Sequence, residues 1–273
     1  MNFTVIGTSG FIGGALAASL RADKQTVFAP ARGSADLFTA HLGHVIYAVG
    51  VTANFRVRPF DTLRANTGLV AELLERAEFE SFLYLSSARI YRHAEHCGEE
   101  AAIFVRPADL EDLYDLTKLT AEALCHASGR GSVRVARLSN VVGPDFRSPN
   151  FLFDLIRSAC DTGRVELRSA PESAKDYVLL QDVLDMLPRI ATAGCHPCYN
   201  LGAGCNLTHA ELLEPILAAT GAKLAVRENA PLSVTPAIEI VRLKNEFGFR
   251  PGLVLPQIPR LVHEYLELAH AQN

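Results

Sequence analysis

The sequence predicts an α/β protein built on a doubly wound parallel sheet. Three observations lead there. The N-terminus reads strand, glycine turn, helix: apolar Phe3-Thr4-Val5-Ile6, glycines at 7, 10 and 13, then Ala15-Leu16-Ala17-Ala18-Ser19-Leu20 with strong helix propensity. Short β-prone runs then alternate with helical stretches through about residue 145, the pattern of successive βαβ units. The 273 residues are 49% hydrophobic, enough for the core of one large or two closely joined domains.

The first element carries the first chemistry. In Gly7-Thr8-Ser9-Gly10-Phe11-Ile12-Gly13, Gly7 permits the tight turn and Gly10 lets the backbone approach phosphates. Gly13 allows the helix to pack closely on the strand. The helix N-terminus offers free N–H groups and a positive dipole end to a pyrophosphate. A glycine-rich turn can be merely structural, but its place after a first strand favours a dinucleotide. The second strand, Thr26-Val27-Phe28-Ala29, ends in Pro30-Ala31-Arg32-Gly33-Ser34. A carboxylate that binds a ribose 2′-OH often stands there. None is present, and Arg32 suits a 2′-phosphate instead. NADP is therefore the expected cofactor. NAD stays possible, because an arginine stacked on adenine would serve either.

Residues 109–127 read as a helix, with Leu110, Leu113, Leu116, Leu119 and Leu124 as apolar positions. Tyr114 and Lys118 are four apart and share a face. A free phenol titrates near pH ~10, and a nearby ammonium favours its phenolate. The spacing is common by chance, so context has to support it. Phe82-Leu83-Tyr84-Leu85 reads as a buried strand ending in Ser86-Ser87-Ala88-Arg89-Ile90-Tyr91. Ligands bind at the carboxyl ends of such strands, where a serine can donate to a substrate oxygen. Each serine alone is equally a loop or cap residue.

Taken in order, these segments resemble the extended short-chain dehydrogenase/reductases of the nucleotide-sugar epimerase/dehydratase type. The likeness runs along almost the whole chain. Gly7-xx-Gly10-xx-Gly13 is similar to the family's phosphate loop, and His44-Val45-Ile46-Tyr47-Ala48-Val49-Gly50 to its fourth strand. Asn66 matches a helix asparagine, and Tyr114-xxx-Lys118 the catalytic pair. Arg137-Leu138-Ser139-Asn140-Val141-Val142-Gly143-Pro144, Lys175-Asp176-Tyr177 and Tyr199-Asn200-Leu201-Gly202 match further segments.

The resemblance implies a Rossmann domain and assigns roles. Ser87, four residues before Tyr91, would hold and polarise the reacting oxygen. Tyr114 would be the general acid/base, and Lys118 would bind the nicotinamide ribose and lower the phenol's pKa. The cofactor would meet Gly7, Ser9, Gly10, Phe11, Ile12 and Gly13 at its phosphates and Arg32 at its adenosine end. Ala48, Val49, Gly50, Asn66, Leu85, Tyr114 and Lys118 would line its other contacts. Ser87, Arg89, Asn140 and Lys175 would bind substrate. Lys175 stands where the family usually has a diphosphate-binding arginine, and it lacks the bidentate fork. The 4,6-dehydratases of the family carry Asp-Glu after the catalytic threonine, whereas Ala88 and Arg89 follow Ser87 here. The expectation is therefore an epimerase or ketoreductase outside the dehydratase branch.

The implied organisation is a dinucleotide-binding domain over 1–145, to which 175–198 return, and a smaller C-terminal α/β substrate lobe over 146–273. Pro144, Pro149, Pro171 and Pro197 mark changes of direction. Helices at about 62–78 and 109–127 carry apolar residues beyond one stripe, including Leu63, Leu69, Val70, Leu73 and Leu74. Burial against the sheet explains them, and the resemblance suggests a homodimer through a four-helix bundle. A net charge of −4 and pI near 6.1 argue against nucleic-acid and membrane surfaces as partners. No apolar run reaches membrane-spanning length. Met1 leads almost directly into the first strand, so a cytoplasmic location is expected. Cys195-His196-Pro197-Cys198 has no second CxxC to complete a zinc site, and no metal is expected. Two rival readings are reduction of a non-sugar carbonyl and an NADP-sensing regulator without turnover. The presence of Ser87, Tyr114 and Lys118 together weighs against the regulator.

Overall fold

The computed structural model describes residues 1–52, 54–146 and 150–271; Pro149 lies outside them. The strands among these residues are β1 (Asn2–Ile6), β2 (Thr26–Phe28), β3 (His44–Tyr47), β4 (Ser81–Ser87), β5 (Val133–Leu138), β6 (Asn140–Val142), β7 (Arg164–Leu167), β8 (Ala174–Leu179), β9 (Cys198–Leu201), β10 (Asn206–Thr208) and β11 (Lys223–Val226). The α-helices are α1 (Phe11–Ala22), α2 (Pro59–Leu63), α3 (Leu69–Arg76), α4 (Asp112–Ala127), α5 (Phe151–Thr162), α6 (Leu180–Ala193), α7 (His209–Thr220), α8 (Val241–Phe247) and α9 (Ile258–Ala271).

Six strands form one parallel sheet in the order β2-β1-β3-β4-β5-β9. The chain moves outward from β1 to β2, then crosses back to β3 on the other side. That reversal opens a crevice beyond the carboxyl ends of β1 and β3. The register Phe3↔His44 through Ile6↔Tyr47 sets the two loops side by side, and Ala48 N–H donates to Ile6 O at 2.8 Å. The stretch His44–Gly50 thus supplies the third strand in the chain, not the fourth. Residues between β2 and β3 form only a short 3-10 turn at Ala35–Phe38, capped by Ser34, with no further strand.

The central strands are buried on both faces, as a covered parallel sheet requires. Leu16 and Leu20 of α1 pack on one face with Val183, Met186, Leu187 and Ile190 of α6. Val70 and Leu73 of α3 pack on the other with Ala121 and Cys125 of α4. A separate core joins Leu152, Phe153 and Ile156 of α5 to Leu212, Leu213 and Ile216 of α7 and Ile258 and Val262 of α9. Two small sheets, β10-β8-β6 and β11-β7, accompany this second core. Within 175–198, α6 and β9 join the large sheet, while β8 pairs with β6 and β10 instead.

Two helices depart from their expected bounds, each for a local reason. The helix expected from 109 begins at Asp112. Glu111 N–H donates to Asp109 Oδ1 at 2.9 Å, a turn that competes with helix and leaves Leu110 exposed. The helix expected over 62–78 starts at Pro59, a residue suited to a first turn. It then widens into a π-helical turn at Arg64–Gly68 before α3. That turn buries Asn66 and Thr67 against α4: Asn66 Nδ2 donates to Thr117 Oγ1 at 2.9 Å, and Thr67 Oγ1 to Thr117 O at 2.7 Å. No described helix is long and apolar enough to cross a membrane.

Candidate active site

The glycine turn is sterically obligatory at two points. Gly7 has φ +104°, and a Cβ there would lie 2.8 Å from the carbonyl carbon of Ala48. A Cβ on Gly13 would lie 2.4 Å from Gly7 O. The turn is thus closed against β3, and Gly10 at its tip is exposed beside exposed Ser9. Gly10 is the N-cap of α1 and supplies no side-chain cap. The first N–H groups of a twelve-residue helix are therefore free for an anion. Phe11 and Ile12 are half-buried behind them. Arg32 is exposed at the tip of a turn closed by Ser34 N–H to Ala31 O, and it makes no ion pair among the described residues.

A second cradle lies past β3. A Cβ on exposed Gly50 would approach Asn66 Oδ1 at 3.1 Å and Lys118 Nζ at 3.5 Å. Asn66 is fully buried, yet its Oδ1 has no hydrogen-bond partner. Lys118 Nζ donates to Leu85 O at 2.8 Å and lies 4.8 Å from the centre of the Tyr84 ring. Gly50, Asn66, Leu85 and Lys118 thus converge. An orphaned buried acceptor beside a buried ammonium fits a hydroxyl-rich group, so the cradle suits a ribose.

Ser87 ends β4 and Tyr114 lies in the first turn of α4; both line a cavity of about 370 Å³. Ser87 stands beside Tyr114, and the Ser87 Oγ accepts from Arg89 N–H at 3.2 Å. Burial pushes the Tyr114 phenol up to about 12, although Ser87 and Arg89 each pull it down. Burial pushes Lys118 down to about 7, and Glu122 one turn on opposes this. Lys118 Nζ lies 5.9 Å from the Tyr114 ring. At Tyr114 desolvation outweighs the neighbouring charges. Tyr114 stays protonated at neutral pH.

Of the expected substrate residues, Arg89, Asn140 and Lys175 also line this cavity. Asn140 Nδ2 donates to Asp176 O at 2.7 Å. Lys175 is half-buried, held below the usual lysine range by burial and then by Arg89. Its ammonium lies 5.7 Å from the centre of the Phe151 ring. The cavity also takes residues that sequence reasoning missed: Thr52, Phe55, Arg92, Ser233, Thr235 and Ile238. Those from 233 onward reach it through backbone contacts with Ala174 and Cys97, which no local signal reveals.

A buried ionic network behind the pair was also missed. Arg137 Nη2 donates to Glu122 Oε2 at 2.6 Å, Ser86 Oγ donates to Glu122, and Arg137 Nη1 donates to Tyr91 Oη at 2.7 Å. Two signals existed: Glu122 is four residues after Lys118, and Arg137 is a charge within an apolar strand. At the opposite end of the cavity, Arg89 pairs with Glu111 and Asp115, and Arg92 with Asp112. Asp115 is raised to about 6, burial outweighing Arg89 and Arg92.

One family model matches residues 3–202, that of the NAD dependent epimerase/dehydratase family. A dTDP-glucose 4,6-dehydratase of Streptomyces griseus is 27% identical over 183 residues, which is 64% of this chain and 55% of the relative. The chain thus matches about half the length of that protein. The fold is shared with MoeE5 in complex with UDP-glucose and NAD (TM-score 0.81, 21% identity, 98% of this chain and 99% of that one). It is shared equally with RMD from Pseudomonas aeruginosa complexed with NADPH (0.81, 23%, 98% and 100%). TunA, an NAD-dependent NDP-hexosamine 5,6-dehydratase, has the same fold (0.81, 20%, 98% and 98%).

These findings overturn one expectation. The dehydratase branch was excluded because Ala88 and Arg89 follow Ser87, yet the sequence relative is a 4,6-dehydratase and a structural neighbour a 5,6-dehydratase. The physical error was to tie proton transfer to two positions. Lys175 lines the same cavity with a lowered pKa, and Asp115, raised to about 6, stands behind Arg89.

Proposed function

Because the chain belongs to the NAD-dependent epimerase/dehydratase family, we propose that it transfers hydride at a ring carbon of a nucleotide-linked sugar. The observation that carries this reading is Tyr114 beside Ser87 in the cavity wall, one helical turn from Lys118 in the neighbouring cradle. The turn Gly7–Gly13 at the N-terminus of α1 would hold the pyrophosphate of the cofactor, and Lys118 and Asn66 would hold the nicotinamide ribose. A nicotinamide, when bound, supplies or accepts the hydride. Arg32 favours the 2′-phosphate, so NADP is the proposed cofactor.

This chain's own residues handle the proton. Ser87 holds the reacting oxygen and donates to it as negative charge develops. Tyr114 gives that oxygen a proton during reduction and takes one during oxidation. Reduction suits the resting site, since the phenol is protonated at neutral pH. Oxidation needs the phenol's pKa lowered further than Ser87 and Arg89 lower it, and added positive charge in the site would do so. On the far side of the cavity, Lys175 and Asn140 bind the diphosphate.

The test is a product analysis. The protein is incubated with NADP(H) or NAD(H) and a panel of UDP-, dTDP- and GDP-sugars, followed by NMR. Net NADPH oxidation identifies a reductase, interconverted stereoisomers an epimerase, and a keto-deoxy or unsaturated sugar a dehydratase. Turnover of simple carbonyls with no nucleotide sugar consumed would replace this reading with the non-sugar one.

A further inference from the structure

Among the described residues, the cavity wall carries three cations, Arg89, Arg92 and Lys175, and one carboxylate, Asp176. That carboxylate is turned to the backbone: its oxygens accept from Ala203 N–H at 2.8 Å and Gly204 N–H at 2.7 Å. The acids that pair the arginines, Glu111, Asp112 and Asp115, stand behind them and do not line the cavity. The chain is acidic overall, yet the charged side chains that line this cavity are mostly cationic.

Arg89 and Lys175 come from different parts of the fold. Arg89 follows β4, with its guanidinium 5.3 Å from the centre of the Phe55 ring and Nη2 3.1 Å from Glu111 Oε2. Its Nη1 makes no hydrogen bond among the described residues. Lys175 lies on β8 against Phe151, and its charge adds to burial in holding His209 down at about 4. The two cations sense one another, as the lowered pKa of Lys175 records. Two partly desolvated cations facing one cavity repel, and an anion bound among them offsets both costs.

A diphosphate on Lys175 and Asn140 leaves Arg89 beside the Ser87–Tyr114 pair. There its backbone N–H meets Ser87 Oγ, and its charge reaches Tyr114. That is where the sugar ring reacts. A neutral hexose presents hydroxyls to a half-buried guanidinium; a carboxylate matches its charge and accepts from Nη1, the nitrogen that Glu111 and Asp115 leave open. The geometry points to Arg89 as the recognition group for a carboxylate on the hexose, so that the substrate is a nucleotide-linked uronic acid. This rests on the nucleotide-sugar reading above.

Calorimetric titration tests it on the protein loaded with NADP⁺. The probes are UDP-glucuronate, UDP-glucose and UDP, with GDP-mannuronate, GDP-mannose and GDP as a second series. In the series that binds, the uronate should bind roughly 10- to 150-fold tighter than the hexose, the scale of a charged hydrogen bond. R89Q should bring that ratio close to one, and R89K should keep part of it. Circular dichroism checks that each variant is folded, and the wild-type ratio stands even if neither is. Equal binding of uronate and hexose by the wild type would overturn the inference and leave the nucleotide-sugar reading intact. An equal loss for uronate, hexose and nucleotide in R89Q would place Arg89 on the diphosphate and overturn it too. Silence of all six probes would remove the nucleotide-sugar reading itself.

Discussion

Lys118 should cost the fold stability that its removal returns. The residue is 3% exposed, its ammonium has no carboxylate in contact among the described residues, and it titrates at about 7 instead of 10.5. The gap of 3.5 units, at about 1.36 kcal/mol per unit, corresponds to about 5 kcal/mol of destabilisation at pH 7 and below. The sign follows from proton counting. Between pH 7 and 10.5 the unfolded chain holds a proton that the folded chain has released, so stability rises with pH across that window. Below it both states are protonated and the full cost is present; above it both are neutral and the cost is gone.

Lys118→Met keeps the length of the side chain but loses the hydrogen bond to Leu85 O, worth about 1–3 kcal/mol as a buried acceptor left unmade. The variant should therefore be about 2–4 kcal/mol more stable than the wild type at pH 6, and no more stable at pH 10.5. Urea unfolding followed by circular dichroism at a series of pH values measures both. A variant less stable than the wild type at pH 6 would refute the reasoning, because the buried ammonium would then be compensated by something other than the groups named. The same variant should lose turnover, which would make Lys118 a residue kept for function against stability.

Tyr114→Phe should retain cofactor affinity and lose roughly 10²-fold or more in turnover; undiminished turnover would end the assignment of Tyr114 as proton donor. Ser87→Ala should cost roughly 10²–10³ in kcat by removing one donor to the reacting oxygen, and a change confined to cofactor affinity would move Ser87 out of the reaction. Arg32→Ala should abolish a preference for NADPH over NADH of about tenfold or more, a preference that weakens with salt because Arg32 is exposed. Equal wild-type affinities by fluorescence titration would return the cofactor to NAD. Arg137→Met should cost about 3–5 kcal/mol by stranding the buried Glu122 carboxylate, and adding Glu122→Met should recover most of the loss. A double variant as unstable as the single would mean that the pair is not the source of the cost.

The sequence by itself determined what depends on neighbours along the chain. The glycine turn could be read because Gly7 needs a positive φ and Gly13 has no room for a Cβ, both constraints of one strand–turn–helix unit. Tyr114 and Lys118 could be paired because helical spacing is local, and Ser87 could be placed because it ends an apolar strand. The local rules failed where local preferences competed: the Asp109 turn delayed α4, and a π-helical turn divided the preceding helix. Only the tertiary structure decided which residues share the cavity. Arg89 follows β4 of the large sheet and Lys175 lies on β8 of a small one, and Ser233 and Thr235 arrive from the segment after β11 that runs along Ala174. Tertiary burial also set the protonation states, leaving Tyr114 neutral and Lys118 near 7, because desolvation is a property of everything packed around a group and not of the residues beside it in the chain.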